Sequence, residues 1–210
     1  MAKETVVITG ATGFIGASVL QLLLQRNYSV RVVVRSIEKQ KTLLANPNLK
    51  GIENATFTIV PDLLVPNALD QALANSDYAI HLASPIPIHG DIAPEHQHDE
   101  LVVPAIQATL RVLEAAQVSG TVKRVVITSS AGAIVPPNEI LANDEPPVNR
   151  FVAVSADDRV ADVQPPYASL SEAYCASKIA ALNASDQFMR GQKRAFDIVN
   201  IMPSLVCYFL

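Results

Sequence analysis

Apolar residues along the chain fall into two alternating patterns. Short runs rich in Val and Ile, "TVVITG" (5–10), "SVRVVVR" (29–35), "TFTIV" (56–60), "YAIHLA" (78–83), "KRVVITSS" (123–130) and "FDIVNIM" (196–202), read as strands. Most are apolar almost throughout, as strands buried on both faces of a parallel sheet are. Between them, Ala- and Leu-rich stretches at 13–26, 37–45, 66–74, 95–117 and 170–190 read as helices. Pro104 falls inside the fourth of these and predicts a kink or break, because proline lacks an N–H and its ring clashes with the preceding turn. Strand–helix alternation with short turns implies right-handed βαβ units and a doubly wound α/β sheet. The stretch 131–169 has no such period and carries many prolines, in "VPPNEILANDEPPVNR" and "VQPPYASLS". A connection this long is usually a functional loop or an insert, and its place before the last helix suits a loop overhanging a ligand.

Composition narrows the classes. The chain has 210 residues, 50% hydrophobic and 17% charged, enough for a full core in one domain. With 5% aromatic residues and no Trp, aliphatic and Ala packing must dominate. A net charge of −4 without long basic runs argues against nucleic acid as a partner. Two cysteines, Cys175 and Cys207, make no disulfide framework, so an intracellular, cytoplasmic protein is expected. No apolar stretch approaches the ~20 residues of a membrane span, and no membrane partner is expected.

The first strand runs into "TGATGFIG", with Gly10, Gly13 and Gly16 three residues apart at the opening of the first helix. Strand, glycine turn and helix in that order are what a dinucleotide-binding loop requires. The turn can approach a pyrophosphate closely, and the helix N-terminus offers unpaired N–H groups and a positive dipole end. The second strand ends in Arg35 and Ser36, where a reader of NAD usually carries an acid for the ribose 2′-hydroxyl. A guanidinium there suits a 2′-phosphate, with Lys39 or Lys41 nearby, and predicts NADP(H) over NAD(H). The bland alternative is a solvated charge at a strand end.

The fifth strand ends in "ITSSAGAI". Hydroxyls at the carboxyl end of a central strand lie where open α/β sheets hold ligands, and of Ser129 and Ser130 only one can face such a site squarely. In "EAYCASK", Tyr174 and Lys178 are four apart and share a helix face. Taken alone, that spacing fits a proton donor beside a cation, or a half-exposed helix pair.

Taken together, "VVITGATGFIG", "VRVVVRS", "HLASP", "VVPAIQATLRVLEAA", "KRVVITSSAGAI", "YCASKIAA" and "FDIVNIMPSLV" resemble the extended short-chain dehydrogenase/reductase family. The branch they resemble holds the dihydroflavonol and cinnamoyl-CoA reductases and the fungal aldehyde/ketone reductases. The motifs stand in family order up to Val206. The resemblance implies a Rossmann-type doubly wound sheet with helices on both faces over residues 1–210, with 131–169 as a substrate-side loop. It implies that most of the substrate domain, which in the family follows "PSLV", is missing, leaving an apolar surface prone to self-association. It also implies roles. Ser130 would hydrogen-bond the substrate carbonyl, Tyr174 would be the general acid, and Lys178 would hold the nicotinamide ribose and lower the tyrosine pKa. Gly10, Thr12, Gly13, Phe14, Ile15 and Gly16 would surround the pyrophosphate. Asp62 and Leu63 would lie beside adenine, Ala83 and Ser84 beside the ribose, and Pro203 and Ser204 beside the nicotinamide.

The implied function is NADPH-dependent reduction of a small-molecule aldehyde or ketone. Two alternatives stand beside it: a dinucleotide-binding fragment without turnover, and a sugar-nucleotide epimerase, dehydratase or hydroxysteroid dehydrogenase. His81, in an apolar strand, is expected to be a packed histidine. His89 is a loop residue without an evident partner. His96 and His98, two apart, make poor metal geometry on one helix face, and no metal is expected.

Overall fold

A computed structural model describes residues 3–85, 92–140, 154–191, 193–204 and 206. His89 and the final "CYFL" lie outside them. In chain order the regular elements are β1 (Thr5–Thr9), α1 (Phe14–Gln25), β2 (Ser29–Val34), α2 (Ile37–Leu44), β3 (Thr56–Ile59), α3 (Asp70–Leu73), β4 (Tyr78–His81), α4 (Val103–Ser119), β5 (Arg124–Thr128), α5 (Pro137–Ile140), α6 (Leu170–Met189) and β6 (Asp197–Ile201). Two compact units share the chain. The first holds 1–84, 108–127 and 189–199; the second holds 85–107, 128–188 and 200–210.

The strands form one six-stranded sheet in the order β3-β2-β1-β4-β5-β6, and the registers of β1 with β2 and β4, β2 with β3, and β4 with β5 are all parallel. The order reverses between β1 and β4. That switch point leaves a crevice at the carboxyl ends of neighbouring strands, the usual ligand position in open α/β sheets. β1 is buried along nearly its whole length, as its apolar run requires.

In the first unit, Val6, Ile8, Leu20, Val30, Val32, Val34 and Ile52 pack into one cluster. Arg31 interrupts the apolar run of β2, and its guanidinium donates to the carbonyls of Ala72 and, at 3.0 Å, Ala74 at the end of α3. Orphan carbonyls at a helix end are thereby satisfied. At the opposite edge of the strands from the glycine turn, Asp77 accepts from the Thr5 N–H at 2.9 Å and pairs with Lys123 at 2.9 Å, joining the starts of β1, β4 and β5.

In the second unit, Leu101, Val102, Tyr167, Ala173, Ala176 and Ala180 form a separate cluster. The break foreseen at Pro104 takes a definite form. A π-helical turn, His98–Val102, precedes α4, so the wider turn lies where proline offers no N–H and crowds the carbonyl four residues back. The expectation that no apolar stretch approaches a membrane span is corrected here: by length and mean hydropathy His98–Ser119 is long and apolar enough to cross a membrane, and 50% of its 18-residue apolar window is buried inside the protein, as in a core helix. Apolar residues spaced by polar ones reach that average without an unbroken run. Of the irregular stretch 131–169, the described residues hold a 3-10 turn, Ala131–Ala133, and α5; 154–169 forms no helix or strand.

Candidate functional site

The first unit presents a glycine turn between β1 and α1. β1 delivers the chain to Gly10, whose φ is +75°, in the left-handed region that side chains rarely adopt. A Cβ there would stand 2.5 Å from the Ala83 nitrogen. A Cβ on Gly16 would stand 2.1 Å from the Gly10 carbonyl oxygen, so the spacing of the glycines lets α1 begin against the turn itself. Gly13 is the extended N-cap of α1 and supplies no side-chain cap, and the first turn carries no acid. The positive end of this helix is thus not neutralised by its own first turn. Thr12, Gly13 and Phe14 are exposed there, Ile15 half-buried, and Gly16 buried.

Beneath the turn is a buried polar pair. The Thr9 hydroxyl lies 2.8 Å from His81 Nδ1 and accepts a long bond, 3.4 Å, from the Ala83 N–H. His81 is 3% exposed, the packed histidine its apolar strand predicts. Ala83 and Ser84 leave β4 half-buried beside Gly10. Nothing in the sequence pattern announces the Thr9–His81 pair, because it joins two strands through side chains 72 residues apart.

Arg35 is exposed at the end of β2. Ser36 caps α2, accepting from the Lys39 N–H at 3.4 Å. Glu38, in the first turn of α2, carries no motif that marks it in the sequence. Its carboxyl is held below the usual range by the Ser36 hydroxyl, which puts an acid one turn from Arg35. After β3, Asp62 Oδ1 accepts from the Leu64 N–H at 2.8 Å, a self-closed turn with Leu63 half-buried within it.

The second unit holds the three residues singled out for chemistry. β5 and β6 continue to pair past their ends: the Ser129 N–H donates to Ile201 at 2.8 Å, and the Ala131 N–H to Pro203 at 2.9 Å. Ser130 is therefore extended, and its hydroxyl accepts from the Gly132 N–H at 3.1 Å, capping the following turn. Its O–H remains available to donate, and the hydroxyl is near enough to the Tyr174 phenol to favour the phenolate. Ser130, rather than Ser129, is the serine on the tyrosine side. Pro203 is half-buried and Ser204 exposed beside this ladder.

α6 carries Tyr174 and Lys178. Its start is fixed by Ser169, which accepts from the Glu172 N–H at 3.1 Å, while the Glu172 carboxylate reaches back to the Ala168 N–H. That is a near relative of the Ser-x-x-Glu capping box. The Ser177 hydroxyl donates to the Tyr174 carbonyl at 2.7 Å. Lys178 is 6% exposed, with Nζ 5.4 Å from the centre of the Tyr174 ring. Burial brings its pKa down to about 8. Burial also pushes the Tyr174 phenol up, against the influence of Ser130, which favours the phenolate. Lys178, the group expected to lower the tyrosine pKa, stands beside a phenol that burial holds above its ordinary value. The same low-polarity surroundings that raise the phenol also weaken the lysine's hold on its proton.

Cys175, next to Tyr174, is buried and free, and its Sγ would stand 3.2 Å from a Cβ on Gly132. His98 is engaged with Tyr167, whose hydroxyl lies 2.7 Å from His98 Nδ1. Among the described residues, no group of three or more His, Cys, Asp or Glu could hold a metal ion.

Residues 7–156 match the 3-beta hydroxysteroid dehydrogenase/isomerase family. The chain is 41% identical to the ketoreductase CTB6 of Cercospora nicotianae, over 98% of this chain and 57% of that protein. It is 38% identical to the NAD-dependent epimerase/dehydratase ALT6 of Alternaria alternata, over 97% of this chain and 57% of that protein. Among solved structures, it resembles Gre2 of Candida albicans in complex with NADPH, with a TM-score of 0.78 and 30% identity, covering 96% of this chain and 57% of that one. The chain thus spans little more than half the length of these relatives.

Proposed function

Because the chain belongs to the extended short-chain dehydrogenase/reductase family, over its match to the 3-beta hydroxysteroid dehydrogenase/isomerase family at residues 7–156, we propose that the whole protein is an NADPH-dependent reductase of small-molecule ketones or aldehydes. The observation that carries this reading is the buried Lys178 ammonium set 5.4 Å from the centre of the Tyr174 ring, with Ser130 close enough to favour the phenolate. Names of relatives support it: CTB6 is a ketoreductase, and Gre2 of Candida albicans binds NADPH.

Bound nicotinamide supplies the hydride. As negative charge develops on the carbonyl oxygen, two O–H donors are needed on that atom. Ser130 donates a hydrogen bond to it, and Tyr174 gives up its phenolic proton to the new alkoxide. A protonated Lys178 stabilises the phenolate left behind, since a cation near a phenol favours its charged form. Elsewhere in the chain, Gly10, Thr12, Gly13, Phe14, Ile15 and Gly16 would receive the pyrophosphate. Asp62 and Leu63 would border the adenine, Ala83 and Ser84 the ribose, and Pro203 and Ser204 the nicotinamide. Tyr174 and Lys178 would also touch the nicotinamide ribose.

Arg35 selects the 2′-phosphate in this reading. Glu38 favours a second one, in which an acid accepts the ribose 2′-hydroxyl and NADH is preferred. Calorimetric titration of the chain with each cofactor separates them. NADPH should bind more tightly than NADH, and Arg35→Asp should abolish or reverse that preference. Equal affinities, or tighter NADH binding, in the unaltered chain would overturn the NADP reading and implicate Glu38.

A further inference from the structure

Arg111 lies on α4, far from the glycine turn in sequence, inside the stretch "VVPAIQATLRVLEAA" but at a position to which no role was assigned above. Its side chain is only 22% exposed, and it spends two donors in different directions. Nε donates to the carbonyl of Leu64 at 3.0 Å, and Nη1 donates to Glu114 Oε2 at 2.6 Å. The guanidinium is a rigid planar fork. Glu114, three residues on, therefore fixes the plane in which Nε meets Leu64.

Leu64 closes the turn that begins at Asp62. Its N–H is taken by the Asp62 carboxylate and its carbonyl by Arg111, so both polar atoms of one residue are held. The turn has few other means of holding its shape. Pro61 and Pro66 flank it and bring no backbone donors. Among the described residues 61–66, the bond from Arg111 is the hydrogen bond that reaches an element outside the segment. Glu114 on its own would be an ordinary exposed partner of little energetic weight. Aiming the fork gives it a purpose.

We infer that Arg111 is a positioning residue for the adenine half of the cofactor site, holding the Asp62–Leu64 turn in its binding shape from α4. This rests on the cofactor reading above. The consequence is preorganisation: a turn already ordered loses less freedom when ligand arrives. Arg111 touches no ligand itself, so its removal should affect adenine recognition and leave the Ser130–Tyr174 pair alone.

Two measurements on the 210-residue chain test this. The first is amide hydrogen exchange without ligand, comparing Arg111→Met and Arg111→Lys with the unaltered chain. Exchange at residues 62–64 should quicken in Arg111→Met while β1 and β2 stay protected. The second is calorimetric titration with 2′,5′-ADP, which carries the adenine half alone. Affinity should fall roughly three- to ten-fold in Arg111→Met. Arg111→Lys, with one donor able to reach Leu64, should recover part of both losses. Unchanged exchange at 62–64 would overturn the inference whatever the ligand does. Faster exchange with unchanged 2′,5′-ADP affinity would overturn it too, leaving Arg111 a purely structural staple. If the unaltered chain bound no 2′,5′-ADP, the cofactor reading itself would fail, and this inference with it.

Discussion

Lys178 shows how far a residue's environment can depart from its sequence context. Its spacing from Tyr174 was legible, and helix periodicity was enough to make them neighbours. Its burial was not, because α6 is covered on most of its circumference, with Ala173, Ala176, Ile179 and Leu182 all buried. An ammonium in that setting loses its proton more readily, and the pKa falls from 10.5 to about 8. The unfolded chain keeps the proton up to the ordinary value, so between pH 8 and 10.5 it binds more protons than the folded one, and stability rises with pH. Cys175 and Tyr174 act oppositely. Burial raises both, so from 9.0 for the thiol and 10.0 for the phenol upward the unfolded chain loses protons first and stability falls. The clean window is therefore pH 8 to 9. There, urea unfolding should show a gain of about 1 kcal/mol that is absent in Lys178→Met. Equal pH dependence of the two proteins would show that Lys178 is not titrating low. Glu38 and Arg111 were illegible for another reason. Each acts through a neighbour that only the fold or the cap brings close.

At the scale of elements, the alternation of apolar runs was a reliable guide. All six strands and the helices α1, α2 and α6 stand within one or two residues of the expected positions. Parallel strands buried on both faces leave an unambiguous apolar signature, and the turns between them are marked by Gly, Asn and Pro. The helix expected over 66–74 shortened to α3, Asp70–Leu73. Residues 66–69 are instead a turn, closed by the Ala68 N–H on Val65 and the Asp70 N–H on Asn67, whose φ is +63°, contacts with no periodic trace. The helix expected from 95 begins instead as a 3-10 turn and a π turn ahead of Pro104. The glycine turn is the element whose sequence and geometry agree most closely. Gly16→Ala would drive a methyl into the Gly10 carbonyl, a backbone atom that cannot rotate away. Overpacking of this kind costs roughly 1–3 kcal/mol. Denaturant unfolding should show that loss, together with weakened NADPH binding. A variant with unaltered stability and affinity would mean that α1 can shift freely against the turn.

For the whole molecule, the doubly wound parallel sheet and the family were legible because seven separated motifs agree on one architecture, which any one of them would leave open. The Ser130–Tyr174–Lys178 set was legible as residue types in order, and the burial of Lys178 beside the Tyr174 ring was not. Substrate identity has no comparable signature, since 131–169 follows no period and the chain spans 57% of the length of its relatives. Chemistry at Tyr174 is nevertheless testable without knowing the natural substrate. On the whole protein, NADPH oxidation should be followed with a panel of aromatic and aliphatic ketones and aldehydes, in the unaltered form and in Tyr174→Phe, with cofactor affinity measured in parallel. The expected result is turnover in the unaltered protein and a loss of about 10²–10⁴-fold in the variant, the usual weight of a general acid, with cofactor affinity nearly unchanged. Near-normal turnover by Tyr174→Phe, or no carbonyl-dependent NADPH oxidation by the unaltered protein, would contradict carbonyl reduction through Tyr174.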